Sequence, residues 1–215
     1  MIITIDGPAG AGKSSVAKML ANRLGFRFLD TGAMYRAVAL AGMKKELNWD
    51  MPDDMAELAG RIQLRVDGER IFLDGEDVSE AIRSTEVTAV TRYAAGNPAV
   101  RSQLVELQRR TAAGQNIVTE GRDQGTVAFP DAECKIFLTA SPEERARRRL
   151  GDLQAKNEPI TLEQVLVAQN RRDHEDQNRS VGPLMPADDA IEVCTDGLSL
   201  EEVVEKLETI ARQKM

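Results

Sequence analysis

At 215 residues, 42% hydrophobic and 29% charged, the chain can bury a full core and is expected to form one globular domain with small excursions. A net charge of −7 and 4% aromatic residues argue against a nucleic-acid partner, because they supply neither a basic phosphate-tracking face nor a base-stacking platform. No run of about 18 apolar residues exists to span a bilayer, and the start MIITIDGPAG lacks the basic, long-apolar pattern of a signal peptide; a cytoplasmic protein with no membrane partner, acting as a monomer, is the expectation.

Ile2 to Ile5 is the first short apolar run and reads as a buried strand. Residues 7 to 14 then read GPAGAGKS, matching G-x-x-x-x-G-K-[ST], and a helix-forming run from Lys13 to Leu24 follows. Strand, glycine loop and helix in that order predict a phosphate cradle. Glycines let backbone N–H groups turn onto a phosphate, the helix N-terminus adds its dipole, Lys13 reaches the β and γ oxygens, and Ser14 offers a hydroxyl to Mg²⁺. A nucleoside triphosphate is therefore the expected ligand.

A second strand, Phe26 to Leu29, runs into DTGAMYR at residues 30 to 36, and a helix is predicted from Ala33 to Leu47. In RIQLRVDGERIFLDGEDVSEAIR, Ile62, Leu64 and Val66 alternate with polar residues before a turn at Asp67-Gly68. Ile71 and Leu73 alternate again before Asp74-Gly75. This predicts an antiparallel hairpin set into an otherwise alternating strand and helix pattern. A helix from Ala99 to Ala113 leads to a third buried strand, Ile117 to Thr119, with Glu120, Arg122 and Asp123 just beyond it. Ligands gather at such strand ends in open α/β sheets.

Lys135 to Leu138 is a fourth strand; Pro142 to Leu150 and Thr161 to Arg179 are helical; Ala190 to Val193 and Leu200 to Arg212 complete the pattern with a strand and a helix. Strands alternating with helices predict a three-layer α/β/α fold around a parallel sheet. Cys134 and Cys194 fall in strand-like segments far apart in sequence and are expected to be free, buried thiols.

The cations are lopsided, with 20 arginines against 8 lysines, and seven of the arginines lie between positions 145 and 179. Arginine's planar fork suits bidentate grips on phosphate or carboxylate. Arg145, Arg147, Arg148 and Arg149 open one helix, and at least two of them must face solvent. Within RRDHEDQNR, Arg172, Asp176 and Arg179 are spaced to share one helix face. Taken alone, that run reads as well as a solvated, salt-bridged surface. His174 sits off that face and reads as a surface residue.

No N-K-x-D guanine-reading element appears, nor a strand ending in paired acids, so a switch GTPase and a motor ATPase are both disfavoured. A small-molecule kinase is the favoured class. A hydroxyl-phosphorylating kinase with Asp123 or Glu120 as base, and a nucleotide sensor without catalysis, stay open at this point.

GPAGAGKSS, DTGAMYRA, LDGEDVSEAIR, EGRDQGTVAFPDA and R-x-x-x-D-x-x-R beginning at Arg172 together resemble the bacterial cytidylate kinases, nucleoside monophosphate kinases of the P-loop class, over essentially the whole chain. The resemblance implies a P-loop core with a five-stranded parallel sheet at residues 1–61, 86–146 and 170–215, a small β insert binding the monophosphate at 62–85, and a helical lid at 147–169. It implies ATP-dependent phosphorylation of CMP and dCMP with Mg²⁺. ATP would lie on Gly7, Pro8, Ala9, Gly10, Ala11, Gly12, Lys13, Ser14 and Ser15, with the metal at Ser14. Thr31, Arg36 and Arg122 would hold the monophosphate, Arg101 and Asp123 would read cytosine, Arg172 and Asp176 would reach the ribose, and Arg179 would complete the pocket. Lys13, Arg122 and Arg179 would act on the transferring group. Arg92 stands where the family pattern ending at Arg101 carries a base-contacting serine, leaving Thr91 or Arg92 itself to substitute.

The chemistry is consistent with these roles. Cytosine presents an amine donor beside two acceptors, so a carboxylate and a guanidinium complement its edge. Uracil would set an oxygen against Asp123, a mismatch worth on the order of 1–3 kcal/mol, so weak phosphorylation of uridylate is expected. The acceptor is already an anionic oxygen, so positioning and charge neutralisation dominate over base catalysis.

Overall fold

The computed structural model describes residues 1–154 and 160–215. Residues 155–159, inside the predicted 147–169 lid, lie outside the described residues. In chain order, β1 (Ile2–Asp6) passes through the glycine loop into α1 (Lys13–Leu24), followed by β2 (Arg27–Asp30), α2 (Thr31–Lys44) and α3 (Pro52–Arg61). Next come β3 (Leu64–Asp67), β4 (Arg70–Leu73) and β5 (Glu76–Asp77), a 3₁₀ turn at Ala81–Arg83, α4 (Thr85–Gly96) and α5 (Pro98–Ala112). The chain finishes with β6 (Ile117–Gly121), a π turn at Gln124–Ala128, β7 (Cys134–Thr139), α6 (Pro142–Gln154), α7 (Leu162–Gln177), β8 (Ile191–Cys194) and α8 (Leu200–Arg212).

Five strands form one parallel sheet in the order β2-β6-β1-β7-β8, and β3, β4 and β5 form a separate antiparallel sheet, as the hairpin pattern predicted. Two apolar cores explain why the central strands read as unbroken apolar runs. Ile3, Ile5, Val118 and Ile136 pack with α1 and α8 on one face. Leu29 and Ile117 pack with α2, α4, α5 and the insert on the other. Burial on both faces removes the polar alternation of a one-sided sheet.

Register puts the functional turns on one edge. Asp30 pairs with Glu120, and Asp6 is level with Gly121 and Phe137. The glycine loop, the start of α2 and the turn after β6 all leave from these carboxyl ends, so three segments far apart in sequence converge.

Local signals set the element ends. Asp30 accepts from the Ala33 amide at 2.8 Å and so starts α2 at Thr31, two residues before the predicted Ala33. Gly25, at φ 68°, ends α1 in the left-handed conformation. Asn97 caps α5 by accepting from Ala99 and Val100, which places Arg101 in that helix's first turn. Helices α3 and α4 were not predicted. The β-branched run TEVTAV hides α4 from propensity, while Ser84 caps it through the Val87 amide. Two further expectations are corrected. Cys194 is exposed because β8 is an edge strand, while Cys134 is buried; both are free. Arg179 lies beyond the end of α7 at Gln177, so it does not share a helical face with Arg172 and Asp176.

Candidate active site

The phosphate loop is shaped by close approach. Gly7, at φ 147°, runs so near β7 that a Cβ there would sit 2.0 Å from the Leu138 carbonyl oxygen. Gly12, at φ 87°, caps α1 without any side-chain acceptor, so the first amides of α1 keep no capping partner and suit a phosphate. Lys13 is buried and donates to the Pro8 carbonyl at 2.7 Å. Arg145, read from the sequence only as one of four arginines opening a helix, is buried beneath this loop. It donates to the carbonyls of Ala9 and Ala140 at 3.0 Å each and pairs with Asp173 at 2.6 Å. A planar trans peptide points its C=O and N–H in opposite directions, so holding the Ala9 carbonyl from this side turns the Gly10 N–H away from Arg145.

The other arginines of α6 divide as expected. Arg147 and Arg149 are exposed, and Arg148 donates to both the hydroxyl and carbonyl of Thr195 at 3.0 Å. Arg149 makes no hydrogen bond or ion pair among the described residues, yet its charge reaches Arg172.

Around the start of α2 and the turn after β6, cations accumulate. Arg122 donates through Nε to Asp176 at 2.8 Å, and Arg179 stands 3.7 Å from the other Asp176 oxygen. Asp176 therefore orients Arg122 and Arg179 rather than Arg172. Burial pushes the Asp176 carboxyl up, but Arg122, Arg179 and Arg172 outweigh it and hold the group below the usual carboxylate range. Arg36 and Arg172 have no hydrogen-bond or ion-pair partner among the described residues. Desolvation depresses the Arg172 guanidinium, and the charges of Arg122, Arg36 and Arg149 depress it further. Thr31 is buried, and its hydroxyl proton goes to the Glu120 carbonyl at 2.7 Å.

Arg101 and Asp123 are only 3% and 5% exposed at their side chains and pair directly with each other. Arg101 also donates to the Ala95 carbonyl, and its guanidinium lies 5.5 Å from the Tyr35 ring centre. Its Nε remains a buried donor without a partner among the described residues. Gly182, at φ 59°, lies against the pair, where a Cβ would come within 2.1 Å of Asp123 Oδ2. Arg92 and Thr91 are engaged within α4: Arg92 stacks on Tyr93 at 4.9 Å, and Thr91 donates to the Val87 carbonyl.

The glycine loop and the arginine cluster are electrically joined. Lys13 is lowered from 10.5 to about 7, first by burial and then by Arg122 and Arg172, against the opposing pull of Glu120 and Asp6. Lys13 thus lies within electrostatic reach of Arg122 and Arg172, a concentration of positive charge suited to polyanions. Ser14 donates to Glu120 Oε1 at 3.1 Å, and Asp30, raised by burial and by Glu120, is its neighbour in the sheet. Among the described residues no group of three or more His, Cys, Asp or Glu forms a metal cage. Mg²⁺ bound through nucleotide phosphates needs only one or two protein oxygens, so these hard donors fit it. Sequence reasoning missed Asp6, which is buried at the end of β1 and accepts from the amides of Gln124 and Gly125; an acid directly before the glycine loop was its only signal.

A family model described as Cytidylate kinase matches residues 3–213. The chain is 54% identical over 213 residues to a cytidylate kinase of Rhodopirellula baltica, covering 99% of this chain and 93% of that protein. It is 46% identical over 216 residues to one from Desulfitobacterium hafniense, again covering 99% and 93%. Against one from Geobacter sulfurreducens it is 44% identical over 221 residues, covering 100% and 94%. Among solved structures, a shikimate kinase from Bacteroides thetaiotaomicron shares the fold at a TM-score of 0.51 and 13% identity, covering 99% of this chain and 98% of that one.

Proposed function

The chain belongs to the cytidylate kinase family, and from that membership we propose how its residues divide the work. It is a nucleoside monophosphate kinase that phosphorylates CMP with ATP. dCMP is included among its acceptors, since it offers the same base and phosphate to these residues as CMP.

An anionic phosphate oxygen of CMP attacks the γ-phosphorus in line. The bond from that phosphorus to the β–γ bridging oxygen breaks, and ADP leaves with the electron pair. No proton need be removed from the acceptor, so the task is to bring two polyanions together. Residues 7–15 hold the ATP phosphates. Lys13, on the donor side, and Arg122 and Arg179, on the acceptor side, neutralise the charge spread over the transferring group. Thr31, Arg36 and Arg122 hold the CMP phosphate, Arg172 and Asp176 face the ribose, and Asp123 with Arg101 reads the base. The orphaned Arg101 Nε supports that last role, because a donor left buried without a partner favours a ligand acceptor. Mg²⁺, held by Ser14 and the phosphates, would supply further charge neutralisation.

Residues 62–85 form the monophosphate side and 147–169 the lid, which would exclude water on closing and suppress hydrolysis of ATP. Among the described residues no helix is long and apolar enough to cross a membrane. We place the enzyme in the cytoplasm as a monomer, acting on small molecules alone.

The observation that carries this reading is geometric: at the carboxyl ends of β1 and β6 the buried Lys13 of the glycine loop, Arg122 held on Asp176, and the buried Arg101–Asp123 pair, its Nε unpartnered among the described residues, come together. A coupled assay of ADP release with CMP, dCMP, UMP, AMP and shikimate side by side tests it. Turnover with CMP and dCMP, weak turnover with UMP and none with shikimate is expected; activity confined to shikimate would overturn it.

A further inference from the structure

We infer that Asp6 is a positioning residue for the acceptor base: by capping the turn that follows Asp123, its carboxylate fixes the Asp123–Arg101 pair relative to the phosphate loop. The inference rests on the reading of Asp123 as the cytosine contact.

Three sets of bonds converge on the turn. Asp6 Oδ1 accepts from the Gln124 amide at 2.9 Å and Oδ2 from the Gly125 amide at 2.7 Å. The Asp123 carbonyl accepts from Val127 and Ala128 at 2.9 and 3.1 Å, and the Gln124 carbonyl from Phe129 at 2.7 Å. The first amides of a helical turn have no partner within it, and here a side chain from another strand supplies both acceptors. Asp123 is therefore pinned through its own carbonyl and through the two residues after it. Gly125 tightens the fit, since a Cβ there would sit 3.0 Å from Thr4 Oγ1 on the same strand as Asp6.

Asp6 is also the residue immediately before Gly7, so the strand that launches the phosphate loop is the one that caps the base-reading turn. A buried carboxylate close to another carboxylate is an expensive way to hold a turn. Asp6 is raised to about 6, first by burial and also by Asp123, against the amides of Gly125 and Gln124 and the charge of Lys13. The charged groups facing it are Lys13 from α1 and Asp123 from the turn, while Gly121 and Phe137, its sheet neighbours, carry no charge.

The test is steady-state kinetics of Asp6→Asn and Asp123→Asn with CMP and UMP, varying ATP separately. In Asp6→Asn one acceptor becomes a donor facing a backbone N–H, and the turn loses one of its two anchors. The expected result is a CMP KM raised about tenfold and a CMP-to-UMP preference in kcat/KM lowered by a similar factor, with the ATP KM within about twofold of wild type. Asp123→Asn must lower the same preference. If it does not, the base-contact reading itself fails. If Asp123→Asn lowers the preference and Asp6→Asn leaves it unchanged, or raises both KM values together, Asp6 serves the fold alone and the inference is overturned.

Should Asp6→Asn fail to fold, the wild-type enzyme supplies the answer. Its CMP-to-UMP preference is expected to fall between pH 7.5 and 5.5, as Asp6 gains a proton near its value of about 6. The two substrates share one phosphate chemistry, so acceptor ionisation cancels in the ratio. A preference independent of pH over that range would sink the inference.

Discussion

Replacing Lys13 by methionine should stabilise the ligand-free protein while abolishing turnover. In the unfolded chain this lysine titrates at 10.5, and in the folded protein at about 7. Between those values the unfolded chain holds a proton that the native state has released, so stability rises with pH across that window. Below about pH 7 the lysine is charged in both states and its burial cost is fully expressed. The fall from 10.5 to about 7 corresponds to about 5 kcal/mol. Methionine keeps the chain length, removes the charge and loses the Pro8 hydrogen bond, worth about 1 kcal/mol. Lys13→Met should therefore be more stable by about 4 kcal/mol at pH 7, with the gain disappearing as pH approaches 10.5. Urea unfolding of both proteins at intervals from pH 7 to 10, above the Asp6 value that Lys13 itself lowers, measures the difference, in which titrations remote from the site cancel. A constant difference, or one growing with pH, would refute the argument. The same cation is what a triphosphate needs, which is why a destabilising lysine belongs here: stability is given up where the ligand will restore it.

Asp123→Ala should narrow the gap between CMP and UMP by removing the carboxylate that repels uracil's oxygen; equal loss on both substrates in kcat/KM would make Asp123 structural or phosphate-linked instead. Gly7→Ala places a Cβ against the Leu138 carbonyl in a backbone conformation L residues avoid, so differential scanning calorimetry should show a loss of about 3 kcal/mol or more, and an unchanged transition would contradict the loop geometry. Asp176→Asn should release Arg122 and Arg179 and raise the CMP KM about tenfold while the ATP KM stays put, measured by varying each substrate in turn.

The central sheet was legible because its signals are local: doubly buried strands appear as short apolar runs, and the glycine loop declares itself by its order after a strand and before a helix. Helix α1 begins and ends where the pattern put it, at Lys13 and Leu24. The arginine cluster was legible as a composition but not as a geometry. Spacing placed Asp176 between Arg172 and Arg179, whereas the fold brings Arg122, 54 residues away, onto Asp176. Arg145 could not be told from its neighbours by sequence, because its role depends on which face of α6 meets the phosphate loop. Asp6 shows in the sequence only as an acid before the glycine loop, because its partners are backbone amides, which every residue carries and no motif records.

Strand order has one more implication. β2 pairs directly with β6, although α2 to α5 and the whole three-stranded insert are threaded between them, and no strand of that detour enters the main ladder. The excursion can be rebuilt, lengthened or exchanged without altering a single rung beside the nucleotide loop. An architecture wired this way lets evolution or a protein engineer refit what Thr31, Arg36 and Arg101 would hold, while Arg122, Asp123 and the glycine loop stay fixed to the sheet.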